Sequence, residues 1–103
     1  MIKGVGVDIV KIERLNFNIV IKVLSSEELE LFNNMSEIRK REFLAGRFAL
    51  KEAIFKAGIK EHFTNLNIKY NDDNSIYLDN YNNVKVSLSH EKDYAIGFCV
   101  VED

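Results

Sequence analysis

The spacing of apolar residues passes along the chain from an alternation, through a helical repeat, to a second alternation. Ile2-Lys3-Gly4-Val5-Gly6-Val7-Asp8-Ile9-Val10 alternates small and branched side chains and predicts a buried strand. Its two glycines leave room for another backbone to come close. Lys11 to Ile21 predicts a short helix with Ile12, Leu15 and Ile19 inward, weakened by Asn16 and Asn18. Ser25-Ser26-Glu27-Glu28 has the form of a capping box, with Ser25 as cap and Glu28 reaching back. The helix it opens runs to about Asn33 and buries Leu29 and Phe32. Ser36 is expected to cap the longest helix, Glu37 to Ala57, in which Leu44, Phe48, Ala49, Ala53 and Ile54 recur at helical spacing and which Gly58 ends.

Beyond that helix the period becomes two. Leu66-Asn67-Ile68-Lys69-Tyr70, Ile76-Tyr77-Leu78 and Val84-Lys85-Val86-Ser87-Leu88 alternate, and Tyr94 to Val101 is a nearly unbroken apolar run. These predict antiparallel strands, with Asn71-Asp72-Asp73-Asn74 as a turn. The expected fold class is α+β: an N-terminal strand, two to three helices including one long central helix, then a small antiparallel sheet.

Composition narrows the function classes. With 103 residues the chain is expected to form one domain, residues 1–103. A chain this short buries a modest share of its surface, so self-association is a natural way to bury more. The 47% hydrophobic and 29% charged content is that of a globular protein. A net charge of −2 argues against nucleic-acid binding in general. No apolar run is long enough to span a bilayer. Cys99 has no second cysteine to pair with, and Met1-Ile2-Lys3-Gly4 does not open a signal peptide; both suit a reducing cytoplasm.

Three places carry candidate chemistry. Asp8 stands in an otherwise apolar strand, where a charge needs a cation, donors or water; capping the next helix is the plainer role. In the long helix Phe48, Glu52 and Lys56 share a face, and Glu52 with Lys56 forms an i,i+4 acid–base pair of the kind that ordinarily decorates a solvated surface. In Val86-Ser87-Leu88-Ser89-His90 the two serines share one strand face, and His90 falls at the strand end, where polar groups are readily shown to a ligand or simply to water.

Taken together and in order, these segments resemble one family. Gly4-Val5-Gly6-Val7-Asp8-Ile9-Val10-Lys11-Ile12-Glu13-Arg14-Leu15 resembles the opening of holo-acyl-carrier-protein synthases. Phe48-Ala49-Leu50-Lys51-Glu52-Ala53-Ile54-Phe55-Lys56-Ala57 is similar to their helix signature, and Ser87-Leu88-Ser89-His90 with Tyr94-Ala95 to their closing strand–turn–strand element. The resemblance implies the 4'-phosphopantetheinyl transferase fold and the transfer of phosphopantetheine from coenzyme A to a serine of apo-acyl carrier protein, with 3',5'-adenosine bisphosphate released. It further implies Mg²⁺ held by Asp8 and Glu52, and Lys56 near the pyrophosphate. Ser89 and His90 would meet coenzyme A from a neighbouring subunit of a homotrimer, and Arg14 would meet the acidic carrier protein. Glu52, or a metal-bound water that it orients, is the candidate proton acceptor. Lys22 and the Arg39-Lys40-Arg41 cluster are further candidates for carrier binding, the cluster being equally readable as a solvated helix start.

The chain also departs from that pattern. Ala57-Gly58-Ile59-Lys60-Glu61-His62 replaces the family's Gly-Thr-Gly-like loop, leaving Lys60 or His62 as substitute phosphate ligands. The Gly-Lys-Pro of the next hairpin is absent near Asn74-Ser75-Ile76-Tyr77, and Phe17, Ile19 and Val20 make the first helix less basic. Leu50 stands where a smaller residue is common. Cys99 is expected in the core, while Tyr70, Tyr77 and Tyr94 are either packing or pocket residues. Two other readings stay open: a Mg²⁺-dependent enzyme acting on another pyrophosphate-linked nucleotide, and a non-catalytic oligomeric domain that binds carrier protein or coenzyme A.

Overall fold

The computed structural model describes residues 1–103. Strand β1 (Ile2–Lys11) is followed by two 3₁₀ turns, Ile12–Arg14 and Phe17–Ile19, and by helices α1 (Val20–Val23), α2 (Ser26–Asn33) and α3 (Glu37–Lys56). A 3₁₀ turn at Phe63–Asn65 then leads to β2 (Ile68–Tyr70), β3 (Ile76–Leu78), β4 (Val84–His90) and β5 (Tyr94–Glu102). The larger sheet has the order β1-β5-β4, both pairings antiparallel, while β2 and β3 form a separate hairpin. The architecture is the expected α+β arrangement, with β1 incorporated as one edge of the closing sheet.

The predicted caps form. Ser25 Oγ accepts the Glu28 amide at 3.2 Å and Glu28 Oε1 accepts the Ser25 amide at 2.9 Å, a complete capping box. Ser36 Oγ accepts the Arg39 amide at the start of α3. Past α3, Gly58 takes φ 116°, with its amide on the Phe55 carbonyl and the Ile59 amide on the Ile54 carbonyl. That paired return closes a helix through a left-handed residue, which glycine adopts without a Cβ clash.

Two expectations are corrected. The segment from Lys11 to Ile21 is not one helix: β1 continues through Lys11, two 3₁₀ turns follow, and regular helix covers only Val20–Val23. The cause is local, because Asn16 Oδ1 captures the Asn18 amide at 2.9 Å, an alternative to the helical bond. Ile12 is buried as expected, whereas Leu15 and Ile19 are only partly so. The second correction concerns β1, which is buried on one face only; Val5, Val7 and Ile9 remain more than half exposed.

The core gathers around α3. Leu50, Ala53 and Ile54 pack with Leu66, which follows the third 3₁₀ turn, and with Ile68, Leu78, Val84, Cys99 and Val101 from the strands. On another side of the helix Phe43 and Leu44 meet Val20, Val23, Leu24 and Phe32. No helix is long and apolar enough to cross a membrane.

Candidate active site

Gly4, Gly6, Asp8 and Val10 share the face of β1 turned to α3, since alternate residues of a strand point the same way. A Cβ at Gly4 would lie 1.9 Å from the Ala57 carbonyl oxygen, and one at Gly6 would lie 1.9 Å from that of Ala53. Strand and helix therefore touch backbone to backbone. Gly97, opposite Asp8 on β5, is pressed in the same way against Ala49 and Leu50. This contact lays the C-terminal half of α3 beside Asp8.

Lys56 Nζ, on the last turn of α3, lies 3.0 Å from Asp8 Oδ1 and donates to the Val7 carbonyl at 3.2 Å. The expected Glu52–Lys56 pair is not formed, because the lysine turns to the strand instead. Glu52 is thereby left free, and with Asp8, Lys11, Arg14 and Phe48 it lines one open depression at this edge of the sheet. Two carboxylates and an unpaired arginine thus face a common space. The donor set suits Mg²⁺, which is usually held by one or two carboxylates together with substrate phosphates and water. The ammonium against Asp8 Oδ1 shows that this oxygen accepts a cation. No cluster of three or more histidine, cysteine or acidic side chains exists elsewhere to form a complete protein cage.

A second cavity, of about 340 Å³, opens on the far flank of α3, between the edge strand β4 and the β2–β3 hairpin. Arg39, Arg47, Tyr70, Ser87 and His90 are among its lining residues. Arg47 is only 2% exposed and rests on a buried carboxylate, its Nε 3.2 Å from Glu28 Oε2. Its Nη2 donates to the Tyr70 hydroxyl at 2.9 Å, and its guanidinium lies 4.3 Å from the centroid of the Phe43 ring. Lys51, wholly buried, donates to Glu28 Oε1 at 2.6 Å and to the carbonyls of Val23 and Phe63. Burial holds its ammonium below the ordinary lysine pKa, against the opposing pull of Glu28. One carboxylate thus serves two buried cations, leaving an excess of positive charge behind the cavity.

Residues 4–99 match the sequence pattern of the 4'-phosphopantetheinyl transferase superfamily. The holo-[acyl-carrier-protein] synthase of Mycoplasma capricolum is 42% identical over 97% of this chain and 94% of its own length. That of a Geobacillus species is 41% identical over 99% and 98%. The chain belongs to the holo-[acyl-carrier-protein] synthase family. Its fold agrees: the crystal structure of the Bacillus anthracis synthase, solved in complex with CoA (3',5'-ADP), superposes with a TM-score of 0.87 at 30% identity, covering 98% of this chain and 96% of that one.

Within this synthase the predicted residues fall into two groups. Asp8, Glu52, Lys56 and Arg14 meet at the β1 edge, whereas His90 lines the cavity at the β4 edge and Ser89 lies on the outward sheet face opposite Ile96. A single chain does not bring the two groups together. The basic candidates also divide. Arg14 and Lys22 have no ionic partner in the chain, but Arg39 is paired with Glu42 at 3.1 Å and Arg41 with Glu37 at 3.5 Å. Lys40 and Arg41 lie over the rings of Phe32 and Phe17. Lys60 caps the Phe55 carbonyl at 3.0 Å and covers the Phe55 ring. Of the tyrosines, Tyr70 lines the Arg47 cavity.

Sequence reasoning missed Glu28, Arg47 and Lys51 as a unit. A signal was present: Arg47 and Lys51 fall at helical spacing within the stripe of Leu44 and Ile54, so two cations are directed inward and require a counter-charge.

Proposed function

We propose that this synthase carries out Mg²⁺-dependent transfer of 4'-phosphopantetheine from coenzyme A to a serine of apo-acyl carrier protein, with release of 3',5'-adenosine bisphosphate. The convergence of Asp8, Glu52 and Lys56 on the β1 edge is the observation that carries this reading. Asp8 and Glu52 would hold the metal, whose chemistry when bound is to orient the diphosphate and offset charge on the departing phosphate. Lys56, already within reach of Asp8, adds a positive charge where the pyrophosphate would lie and is the candidate donor of a proton to the leaving group. Glu52, free of any partner in the chain, is the candidate acceptor for the serine proton. Arg14 at the rim, with Lys22, is suited to draw in an acidic protein, mainly by speeding encounter.

Coenzyme A carries a second anionic group, the phosphomonoester on its ribose. The Arg47 and His90 cavity matches that chemistry, yet it lies across the sheet from Asp8. A site assembled between copies reconciles the two, and the sheet supplies a surface for assembly. Val5 with Val100, Val7 with Phe98 and Ile9 with Ile96 form an outward apolar ladder, in which Phe98 and Ile96 are each 41% exposed. Such a face suits association with further copies, and a homotrimer is the arrangement proposed. A role in fatty acid biosynthesis and a cytoplasmic setting follow from the proposed substrates.

The decisive experiment incubates the protein with apo-acyl carrier protein, coenzyme A and Mg²⁺ and weighs the carrier by mass spectrometry. A gain of one phosphopantetheine that chelation abolishes is the expected result. Carrier binding without mass gain would establish the non-catalytic alternative. Transfer of phosphopantetheine that survives removal of divalent ions would refute the metal role.

A further inference from the structure

We infer that Glu28 is a positioning residue for coenzyme A, acting through Arg47. The inference rests on the reading of the β4-edge cavity as the receptor for the ribose phosphate. Glu28 sits at the first turn of α2 and touches no cavity, but its carboxylate receives four donors. Oε1 takes the Ser25 amide and Lys51, while Oε2 takes the Ile68 amide and Arg47 Nε. A carboxylate fixed from α2, α3 and β2 at once is a rigid anchor. It holds one edge of the Arg47 guanidinium, the Tyr70 hydroxyl holds Nη2, and the Phe43 ring lies against its plane.

With those donors taken, Nη1 makes no bond within the chain, and Arg47 is a nearly buried lining residue of the cavity. A guanidinium restrained at Nε and Nη2 presents its remaining donors in one direction, so little freedom is lost when an oxyanion binds. The geometry also separates two ways of handling a lysine and an arginine four apart: Lys51 spends all three donors on the fold, and Arg47 keeps one end for a ligand.

The test compares coenzyme A with 3'-dephospho-coenzyme A as donors for the same apo-acyl carrier protein, reading the ratio of the two kcat/KM values. Both donors meet the same folded molecules, so a variant's loss of stability cancels from that ratio. Arg47→Ala should remove most of the preference for coenzyme A. Glu28→Gln should reduce the preference about tenfold, through the loss of a charge-assisted bond. Tyr70→Phe, which keeps the ring and removes only the acceptor, should reduce it about threefold. If Glu28→Gln does not fold, Glu28→Asp, which keeps the charge but withdraws it by one methylene, is read in the same ratio and should lower it. In the Arg47→Ala background neither change should alter the ratio further. A wild-type ratio in Glu28→Gln, with Arg47→Ala effective, would overturn the positioning role whatever Tyr70→Phe does, and leave the cavity reading standing. A wild-type ratio in Arg47→Ala would overturn both.

Discussion

Neighbouring residues on α3 do opposite work. Lys51 is wholly buried and bonded to the fold, while Glu52 is partly exposed and bonded to nothing in the chain. Substitution should separate them cleanly. Glu52→Gln is expected to leave the thermal midpoint within a degree or two and to cut phosphopantetheine transfer by roughly a hundredfold or more, if it holds the metal and accepts the proton. Asp8→Asn should do the same, and both are read by the carrier mass assay beside a melting curve. Glu28→Ala should act in reverse. It leaves two buried cations without their counter-ion and is expected to cost about 3–5 kcal/mol by urea unfolding. Cys99 gives a third contrast, since burial pushes its thiol pKa up to about 11. Near neutral pH the folded protein, its thiol buried and protonated, should react with a disulfide reagent far more slowly than the urea-unfolded chain.

At the scale of elements, the sequence was most readable where local chemistry and tertiary packing agree. The capping box at Ser25, the Ser36 cap, the glycine after α3 and the Asn71–Asn74 turn are each decided within a few residues, and each forms. The helix expected from Lys11 failed because one asparagine side chain outbid a backbone bond, a contest that apolar spacing does not register. Strand β1 showed its alternation but not which face would be covered, because that depends on where α3 lands. The same holds for the site. Asp8, Glu52 and Lys56 could be picked out through a resemblance, but the Lys56–Asp8 contact needed the fold, since it joins residues far apart in the chain. Gly6 tests the packing that makes this contact. Gly6→Ala places a methyl against the Ala53 carbonyl and should cost about 2–3 kcal/mol while moving Asp8 away from the helix. Transfer activity should fall in the molecules that still fold, as judged by the mass assay at low temperature.

For the whole molecule the question is assembly. One chain supplies an edge bearing Asp8 and Glu52 and a cavity bearing Arg47 and His90 on opposite borders of one sheet, with an apolar ladder on the outward face between them. If copies join through that ladder, Val7→Glu should yield a folded monomer by light scattering, with a retained circular dichroism spectrum and little transfer activity. Encounter with the carrier should respond to charge at Arg14 and Lys22. Replacing both with glutamate should raise the KM for carrier protein about tenfold at low salt and flatten its dependence on ionic strength, with little change in the KM for coenzyme A.

If Asp8 and Glu52 hold an ion as proposed, the glycine contacts bear on how the site's ion preference could change over time. The carbonyls of Ala53 and Ala57 are main-chain atoms, so the gap between helix and strand cannot be widened or narrowed by trimming a side chain. The frame that carries both acidic groups has in effect a single set length. With main-chain contacts fixing that frame unless a glycine is replaced at a cost to the fold, adjustment to an ion of another size falls first to the reach of the acids themselves, and a change of one methylene at position 8 is the smallest step available.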